Sequence, residues 1–178
     1  MSQKADEWFD VVNERDEVVG REMRRVVHAT GLWHRAVHIL VYDGAGRVFL
    51  QKRSMKKDMS PGLWDSSCSG HVDSGEDYDT AAVRELGEEI GVHGATIGTA
   101  ETELRRWFRV EACEETGWEF CWIYRLRHDG PLTLDPEEIS GGDWLAPEEV
   151  TRRIAQRPAD YCSAFKLLWA RGVGLAMK

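Results

Sequence analysis

The acidic segment GHVDSGEDYDTAAVRELGEEIGV limits the fold strongly, because it contains a short helix bounded on both sides by polar or glycine-rich turns. Its pattern predicts a helix over residues 78–90. Positions three and four apart lie on one face of a helix, so Val83, Leu86 and Ile90 have the spacing of a core-facing side. Gly91 follows at the point where helices commonly end in a left-handed residue. This helix is therefore the best-defined element of the predicted fold.

Strand patterns occur on both sides of this helix. AVHILVYDGAGRVFLQKRS predicts a hairpin, since two apolar runs are joined by Asp-Gly-Ala-Gly. WFDVVNERDEVVGREM predicts two short strands and then a helical piece at residues 24–29, and LWDSSCSGHV predicts one strand. Strand-like alternation also marks TAETELRRWFRVE and GWEFCWIYRLRHDG. These segments are followed by a predicted short strand and by a predicted helix with Pro147 in its first turn. The segment YCSAFKLLWARG predicts a final amphipathic helix. The mixture indicates an α+β or α/β fold.

Composition and charge narrow the class of protein. A chain of 178 residues that is 42% hydrophobic and 30% charged suits one domain, 1–178, with the strands of residues 1–30 and a helix at 160–175 packed on it. The net charge of −8 argues against nucleic-acid or anionic-membrane partners. No apolar run approaches the roughly 20 residues of a membrane helix, and the N-terminus lacks a signal-peptide pattern. Four cysteines without paired spacing favour a reduced, cytoplasmic location.

Three glutamates of the predicted helix, Glu85, Glu88 and Glu89, project together, and Arg84 lies four residues before Glu88. Like charges on one helix face repel, at a cost of a few tenths of a kcal/mol per pair. Convergent carboxylates suit a hard cation such as Mg²⁺ or Mn²⁺, which prefers oxygen ligands and also binds phosphate oxygens. A solvated acidic face is the alternative. The residues by themselves favour a metal site.

The spacing within this segment resembles the Nudix box. The matching residues, separated by five, seven, one and one intervening positions, are Gly70, Glu76, Arg84-Glu85-Leu86, Glu88-Glu89 and Gly91-Val92. The resemblance implies a Nudix fold, an α/β/α sandwich with a mixed sheet between helices and the box as loop-helix-loop. It implies metal binding by Glu85, Glu88, Glu89 and the Gly70 carbonyl, while Glu76, Arg84 and Gly91 serve the structure of the box.

Family members hydrolyse a nucleoside diphosphate linked to another group, so the resemblance implies a small-molecule diphosphate substrate. Divalent metal ions would neutralise the diphosphate and activate the water that attacks phosphorus. Glu89 is the candidate base, with the other box glutamates and Glu119 as further catalytic candidates. A Nudix module that binds nucleotides without catalysis is an alternative, although such a module has no need of all three glutamates. Either a monomer or a homodimer fits the family.

Residues 34–71 also resemble isopentenyl diphosphate isomerase, a Nudix relative with a histidine-rich metal site. His34 and His71 match that site, His28 matches with a one-residue difference in spacing, and Glu119 matches a later glutamate. Two positions depart from the isomerase pattern: Ser69 stands where it has a cysteine, and Gly117 stands where it has a second glutamate. Serine is a poor replacement for a thiol in proton transfer. The expectation is an isomerase-like hydrolase, with the isomerase itself as the alternative.

The isomerase resemblance also suggests substrate contacts. Arg53 and Lys57 match diphosphate-binding positions, and Lys52 and Lys56 extend the basic patch, with an ordinary polar hairpin end as the alternative. Glu119 is a candidate metal ligand or base. For His34 and His71, metal binding and a structural hydrogen bond are both open. Three aromatic residues are candidates for stacking on a base or for packing in the core or its rim: Trp107, Phe108 and Trp118.

Overall fold

The computed structural model describes residues 7–176, and all elements named below lie in that range. The strands are β1 Trp8–Val12, β2 Val18–Met23, β3 His34–Tyr42, β4 Val48–Arg53, β5 Trp64–Asp65, β6 Cys68–His71, β7 Arg105–Val110, β8 Glu119–Arg127 and β9 Ile139–Leu145. The α-helices are α1 Arg24–Thr30, α2 Tyr78–Ile90, α3 Pro147–Gln156 and α4 Ser163–Ala176. Helix α2 has the predicted bounds, and the predicted hairpin is β3–β4.

The main sheet is mixed and centres on β3. Its order is β5-β4-β3-β8-β7, with β6 also paired to β3 and β9 to β4. Strands β3 and β8 run parallel, with His34 opposite Glu119, whereas β4 and β6 pair with β3 in the antiparallel sense. This pairing brings the first residues of β3 and β8 next to the last residue of β6, at one end of the sheet.

Alternating residues of β3 pack against helices on opposite faces of the sheet. Val37 and Ile39 join a buried cluster with Leu86 of α2. Leu40 joins a second cluster with Phe165 of α4. Because successive side chains of a strand point to opposite faces, one strand supplies both cores. The predicted α/β/α sandwich with a mixed sheet is therefore confirmed.

The β1–β2 hairpin and α1 cover the sheet end where β3 and β8 begin. The side chain of Phe9 is fully buried. Its ring stacks on His34 and on His71, with centroid distances of 5.6 and 4.6 Å. The hairpin thus fixes the orientation of two histidine rings. Residues 1–6 of the predicted N-terminal unit lie outside the described residues.

The prediction of one continuous strand in LWDSSCSGHV was wrong, because this segment forms β5 and β6. Strand β5 pairs with β4, whereas β6 pairs with β3, so the chain changes partner between them. At this step, the hydroxyl of Ser67 donates to the Phe49 carbonyl oxygen and accepts from the Val41 amide. These side-chain bonds replace a regular strand ladder. Among residues 7–176, no helix is long and apolar enough to cross a membrane.

Candidate active site

A cleft of about 600 Å³ lies at the covered end of the main sheet. Its walls come from α1, α2, the ends of β3 and β6, the loop after β4, the loop before β8 and the start of α4. The three box glutamates, Lys57, Arg53, His28, His71 and Glu119 all line it. The cleft therefore gathers acidic, basic and imidazole groups from separate parts of the chain.

Helix α2, which carries the three box glutamates, is capped at both ends by local hydrogen bonds. At its start, the Asp77 side chain accepts a hydrogen bond from the Thr80 amide at 2.8 Å. At its end, Gly91 adopts φ 70°, a left-handed conformation that suits glycine, and the Val92 amide donates to the Leu86 carbonyl oxygen at 3.0 Å. Both ends of the helix are thus fixed by local sequence.

Arg84 connects the loop and helix of the box. Its Nε and Nη2 donate to the Glu76 carboxylate at 3.0 and 2.9 Å, and Nη2 also donates to the His71 carbonyl oxygen at 2.9 Å. Its Nη1 donates to Glu85 Oε1 at 2.6 Å and lies 3.4 Å from Glu88 Oε2. Burial lowers the pKa of Arg84, but these carboxylates outweigh burial and raise it. Arg84 therefore offsets the repulsion among the glutamates and orients two of them.

Glu85 explains why residue 70 is glycine. Glu85 is 7% exposed, and its carboxylate packs directly against the Gly70 backbone. A β-carbon at position 70 would collide with that carboxylate. The close approach brings the Glu85 oxygens next to the backbone of β6, where Gly70 also lines the cleft.

Glu89 is the most buried of the three box glutamates, at 3% exposed. It accepts hydrogen bonds from the Ser69 amide at 3.1 Å and from Gln51 Nε2 at 3.3 Å. Lys57 Nζ lies 4.0 Å from it. Burial raises the pKa of Glu89, and the nearby Lys57 ammonium and Ser69 amide only partly oppose this effect. A carboxyl with a raised pKa suits the exchange of a proton near neutral pH.

Four ligand atoms converge beside the box glutamates, contributed by His28, His34, His71 and Glu119. All of them lie within 4.8 Å of one another. His71 Nε2 lies 3.0 Å from Glu119 Oε1 and 3.2 Å from His28 Nε2, and His34 Nε2 lies 3.4 Å from the same Glu119 oxygen. Because these residues come from α1, β3, β6 and β8, the cluster exists only in the folded chain.

The tautomer of His34 leaves an acceptor nitrogen inside this cluster. Its Nδ1 lies 2.9 Å from the Leu32 carbonyl oxygen, which can only accept, so Nδ1 carries the proton. In the neutral ring, Nε2 is then the acceptor; it is buried and has no hydrogen-bond partner. It faces the Glu119 carboxylate, which also accepts. Two facing acceptors repel each other unless a proton or a metal ion lies between them.

The charge states around Glu119 also suit a metal ligand set. Burial lowers the pKa of His71 to about 3, although its hydrogen bond with Glu119 acts in the opposite direction. Burial and the nearby His34 also lower the pKa of His28. Burial raises the pKa of Glu119, but the neighbouring His34 and His71 rings outweigh burial and keep the pKa well below its usual value. Neutral imidazoles and an ionised carboxylate are the forms that bind metal.

The basic residues predicted to bind substrate have different positions. Lys57 lines the cleft, is 9% exposed as a side chain, and forms an ion pair with Glu138. Arg53 also lines the cleft, and its guanidinium donates to the Met59 carbonyl oxygen and to Asp65. Lys52 does not line the cleft, because strand alternation turns it away. Its ammonium lies 5.1 Å from the Trp64 ring centroid.

Of the three aromatic candidates, Trp118 lines the cleft. Trp107 and Phe108 pack instead against the cluster around Ile123 and Leu168. Cys68 is fully buried in the core below α2, whereas Ser69 lines the cleft, as expected for neighbours on a strand.

Two residues that line the cleft, Glu138 and Arg24, are not predicted by any sequence pattern. Glu138 precedes β9 and forms an ion pair with Lys57 beside Glu89. Arg24 is 7% exposed and bonds to Asp58 and Glu7, which fastens the loop after β4 to α1. Neither belongs to a spaced motif. Only the fold brings them to the cleft.

The chain is similar to several known proteins. The family model described as the NUDIX domain matches residues 32–165. An uncharacterised Nudix hydrolase of Yersinia pestis is 36% identical over 165 residues, which is 93% of this chain and 87% of that protein. The uncharacterised Nudix hydrolase YfcD of Escherichia coli K12 is 34% identical over 93% of this chain and 88% of its own length.

Among solved structures, DR0079 of Deinococcus radiodurans matches with a TM-score of 0.70 and 33% identity, over 84% of this chain and 90% of that chain. The chain therefore belongs to the Nudix family, as its box and sandwich fold indicate. It is a Nudix hydrolase, a class of enzyme that acts on small-molecule diphosphates with the help of divalent metal ions.

Proposed function

We propose that this Nudix hydrolase is a metal-dependent pyrophosphohydrolase that cleaves a nucleoside diphosphate-linked substrate by attack of water on phosphorus. The main supporting observation is the contact between opposite charges at one point of the cleft. Glu89 is buried there beside the Lys57 ammonium, and Glu85 and Glu88 lie on the same helix. An acidic wall can hold a cation, and the cation and lysine together can hold a diphosphate.

The oxygens of Glu85, Glu88, Glu89 and the Gly70 carbonyl would hold Mg²⁺ or Mn²⁺, which prefer such ligands. The fit is supported by the packing of the Glu85 carboxylate against the Gly70 backbone, where no β-carbon separates the two residues. When bound, the cation neutralises phosphate charge and lowers the pKa of a water molecule. Arg84 limits repulsion among these ligands by bonding to Glu85 and approaching Glu88.

Glu89 is the proposed base, because burial favours its uptake of a proton. It would take a proton from the attacking water, and its hydrogen bonds from Ser69 and Gln51 hold its carboxylate in place. Lys57 and Arg53 are the proposed contacts for the non-reacting phosphate. Lys52 has no part in this proposal, since its ammonium lies over Trp64.

Glu119 is proposed as a metal ligand together with His34, His71 and His28. The supporting observation is the buried, unpartnered Nε2 of His34 opposite the Glu119 carboxylate. Imidazole nitrogens favour a borderline ion such as Zn²⁺ over Mg²⁺. Isomerase activity is not proposed, because Ser69 lines the cleft and the Cys68 thiol is buried with a pKa raised by burial.

We also propose that residues 1–178 form one Nudix domain that acts as a monomer or a homodimer. The burial of Phe9 against the histidine rings supports the inclusion of the N-terminal hairpin. The packing of Phe165 and Trp169 against the sheet supports the inclusion of α4.

The test is hydrolysis of a panel of nucleoside diphosphates, triphosphates and diphosphate-linked sugars in ¹⁸O-labelled water. We expect Mg²⁺- or Mn²⁺-dependent cleavage with the label in a phosphate product. A chelator should abolish cleavage, and Glu89→Gln should lower kcat by about 10³-fold, within the range for loss of a general base. Glu148→Gln, which alters an exposed glutamate on α3, is the matched control. Cleavage by Glu89→Gln at the wild-type rate would rule out the proposed base.

A further inference from the structure

Trp118 differs from the other aromatic residues near the cleft in its exposure. It is 40% exposed and lines the cleft, and it belongs to none of the three buried hydrophobic clusters found among the described residues. Trp107, by contrast, packs closely against Gly172 of α4. The core therefore gives no packing reason for a large aromatic side chain at position 118.

The backbone of Trp118 makes this choice of residue costly. Its φ is 68°, and the preceding Gly117 has φ 72°. Left-handed backbone suits glycine or asparagine, whereas a bulky side chain is strained there. Strained residues that persist without a packing role are concentrated at ligand sites.

Hydrogen bonds hold the turn in this conformation. The Trp118 amide donates to the Cys113 carbonyl oxygen at 2.8 Å, and the Trp118 carbonyl oxygen accepts from the His34 amide at 3.3 Å. The Thr116 hydroxyl accepts from the Glu119 amide at 3.2 Å and lies near the carbonyl oxygens of the same turn. The indole also lies against Gly31, where a β-carbon would be 3.2 Å from its Cδ1. The backbone of the turn is therefore held by hydrogen bonds, and one side of the indole packs against Gly31.

The position of Trp118 relates it to the proposed reaction centre. It directly precedes Glu119, whose carboxylate contacts His71, and His71 follows Gly70, against which Glu85 packs. The cleft wall thus runs from charged metal-binding groups to an exposed indole within one cavity of about 600 Å³. Pockets of this size hold ligands comparable to a nucleotide.

We propose that the Trp118 indole is the stacking surface for the planar base of the substrate, a nucleoside diphosphate derivative. This inference rests on the proposed function, because it assigns the base of the substrate to the part of the cleft wall that is next to Glu119. Stacking uses the π-face that every base has, so Trp118 favours nucleotides over base-free diphosphates and discriminates weakly between bases.

The first experiment measures kcat and KM for a nucleoside diphosphate substrate and for a base-free alkyl diphosphate. We expect Trp118→Ala to raise KM for the nucleotide by about 5- to 100-fold, the range of one lost base stack, with little change in kcat. KM for the alkyl diphosphate should not change, and Trp118→Phe should restore most of the nucleotide affinity. An equal rise for both substrates, or none for the nucleotide, would overturn the proposal. Trp8→Ala, which removes another exposed tryptophan outside the cleft, is the matched control.

The second experiment does not depend on catalysis. Calorimetric titration compares adenosine monophosphate with ribose 5-phosphate, which lacks the base. We expect wild type to bind adenosine monophosphate more tightly, and Trp118→Ala to remove that difference. If wild type cleaves no diphosphate but prefers adenosine monophosphate, and Trp118→Ala removes that preference, the proposed function is refuted and the stacking site is supported. Equal binding of the two ligands by wild type would refute the stacking site.

A third variant separates ligand binding from structural packing. Trp118→Asn places a residue that tolerates left-handed backbone at this position. We expect its Tm to equal or exceed that of wild type while its preference for adenosine monophosphate is lost. A marked fall in Tm would identify Trp118 as a packing residue and contradict the proposal.

Discussion

The charged residues at the two ends of the cleft wall are brought together in different ways. At one end, Glu85, Glu88 and Glu89 come from a single helix, and Arg84 of the same helix orients them. At the other end, the histidine cluster draws one residue from each of four elements: His28, His34, His71 and Glu119. The first end offers oxygens, and the second offers mostly imidazole nitrogens.

In the absence of a cation, the two ends are stabilised in different ways. The acidic end contains its own counter-charges, because Arg84 and Lys57 lie beside the carboxylates. In the histidine cluster, burial lowers the pKa of both His28 and His71 beside one carboxylate, and a buried nitrogen of His34 faces that carboxylate. We therefore expect changes at the acidic end to affect mainly catalysis, and changes at the histidine cluster to affect mainly metal affinity and stability.

The largest expected effect is at the acidic end. Glu85→Gln keeps the size of the side chain but removes a charged oxygen, so kcat with Mg²⁺ should fall by about 10²- to 10³-fold. His71→Gln should lower the same kcat by less than about tenfold. Steady-state kinetics at saturating Mg²⁺ checks both. An equal loss in the two variants would mean that the ends do not have separate roles.

Metal selectivity should show the next largest effect. His34→Gln removes the unpartnered Nε2, so affinity for Zn²⁺ should fall by about 10- to 100-fold, as measured by competition with a chelating indicator. Glu88→Gln should weaken Mg²⁺ activation and leave Zn²⁺ affinity within about twofold of wild type. Unchanged Zn²⁺ affinity in His34→Gln would remove the histidine cluster as a metal site.

The pH dependence of stability should be set by the histidine cluster. The pKa of folded His71 is about 3, whereas an unfolded histidine has a pKa of about 6.5. Below pH 6.5 the unfolded chain binds a proton that the folded chain does not, so this stability is present above pH 6.5 and is lost as the pH falls towards 3. From pH 7.5 to 5 the metal-free protein should lose about 2 kcal/mol through His71.

Urea unfolding in the presence of a chelator measures this loss. His71→Gln should reduce the pH dependence between pH 7.5 and 5, whereas His93→Gln, which alters an exposed histidine, should not. Identical pH profiles for wild type and His71→Gln would show that His71 becomes protonated in the folded state. The low pKa of Glu119 adds a loss only at lower pH, because a free glutamate titrates near 4.3.

The smallest expected effect distinguishes two lysines of the predicted basic patch. Lys57→Ala should raise KM for a diphosphate substrate by about tenfold, the equivalent of one charge-assisted hydrogen bond. Lys52→Ala should leave KM within about twofold, because its ammonium lies over Trp64 outside the cleft. If both variants have similar KM values, the position of a lysine in the cleft does not predict whether it contacts the phosphate.

Much of the fold was predictable because its signals are local. Helix α2 has the predicted bounds, with its apolar side and its glycine end both visible in the sequence. The β3–β4 hairpin follows from two apolar runs and a glycine-containing turn. The division of LWDSSCSGHV into β5 and β6 was not predictable, because it depends on which neighbouring strand each half pairs with.

The spacing of the box residues is enough to indicate the family and to predict three carboxylates on one side of a helix, since side chains three and four apart on one helix lie together whatever surrounds them. The residues that join them from distant segments depend on how strands and helices pack. The parallel pairing of β3 and β8 sets His34 beside Glu119, and strand alternation brings Arg53 to the cleft while turning Lys52 away. The tertiary structure also leaves Trp118 exposed while Trp107 and Phe108 pack against a buried cluster. The exposure of these side chains depends on the packing of α4 and on the turn before β8, and no local sequence pattern predicts either.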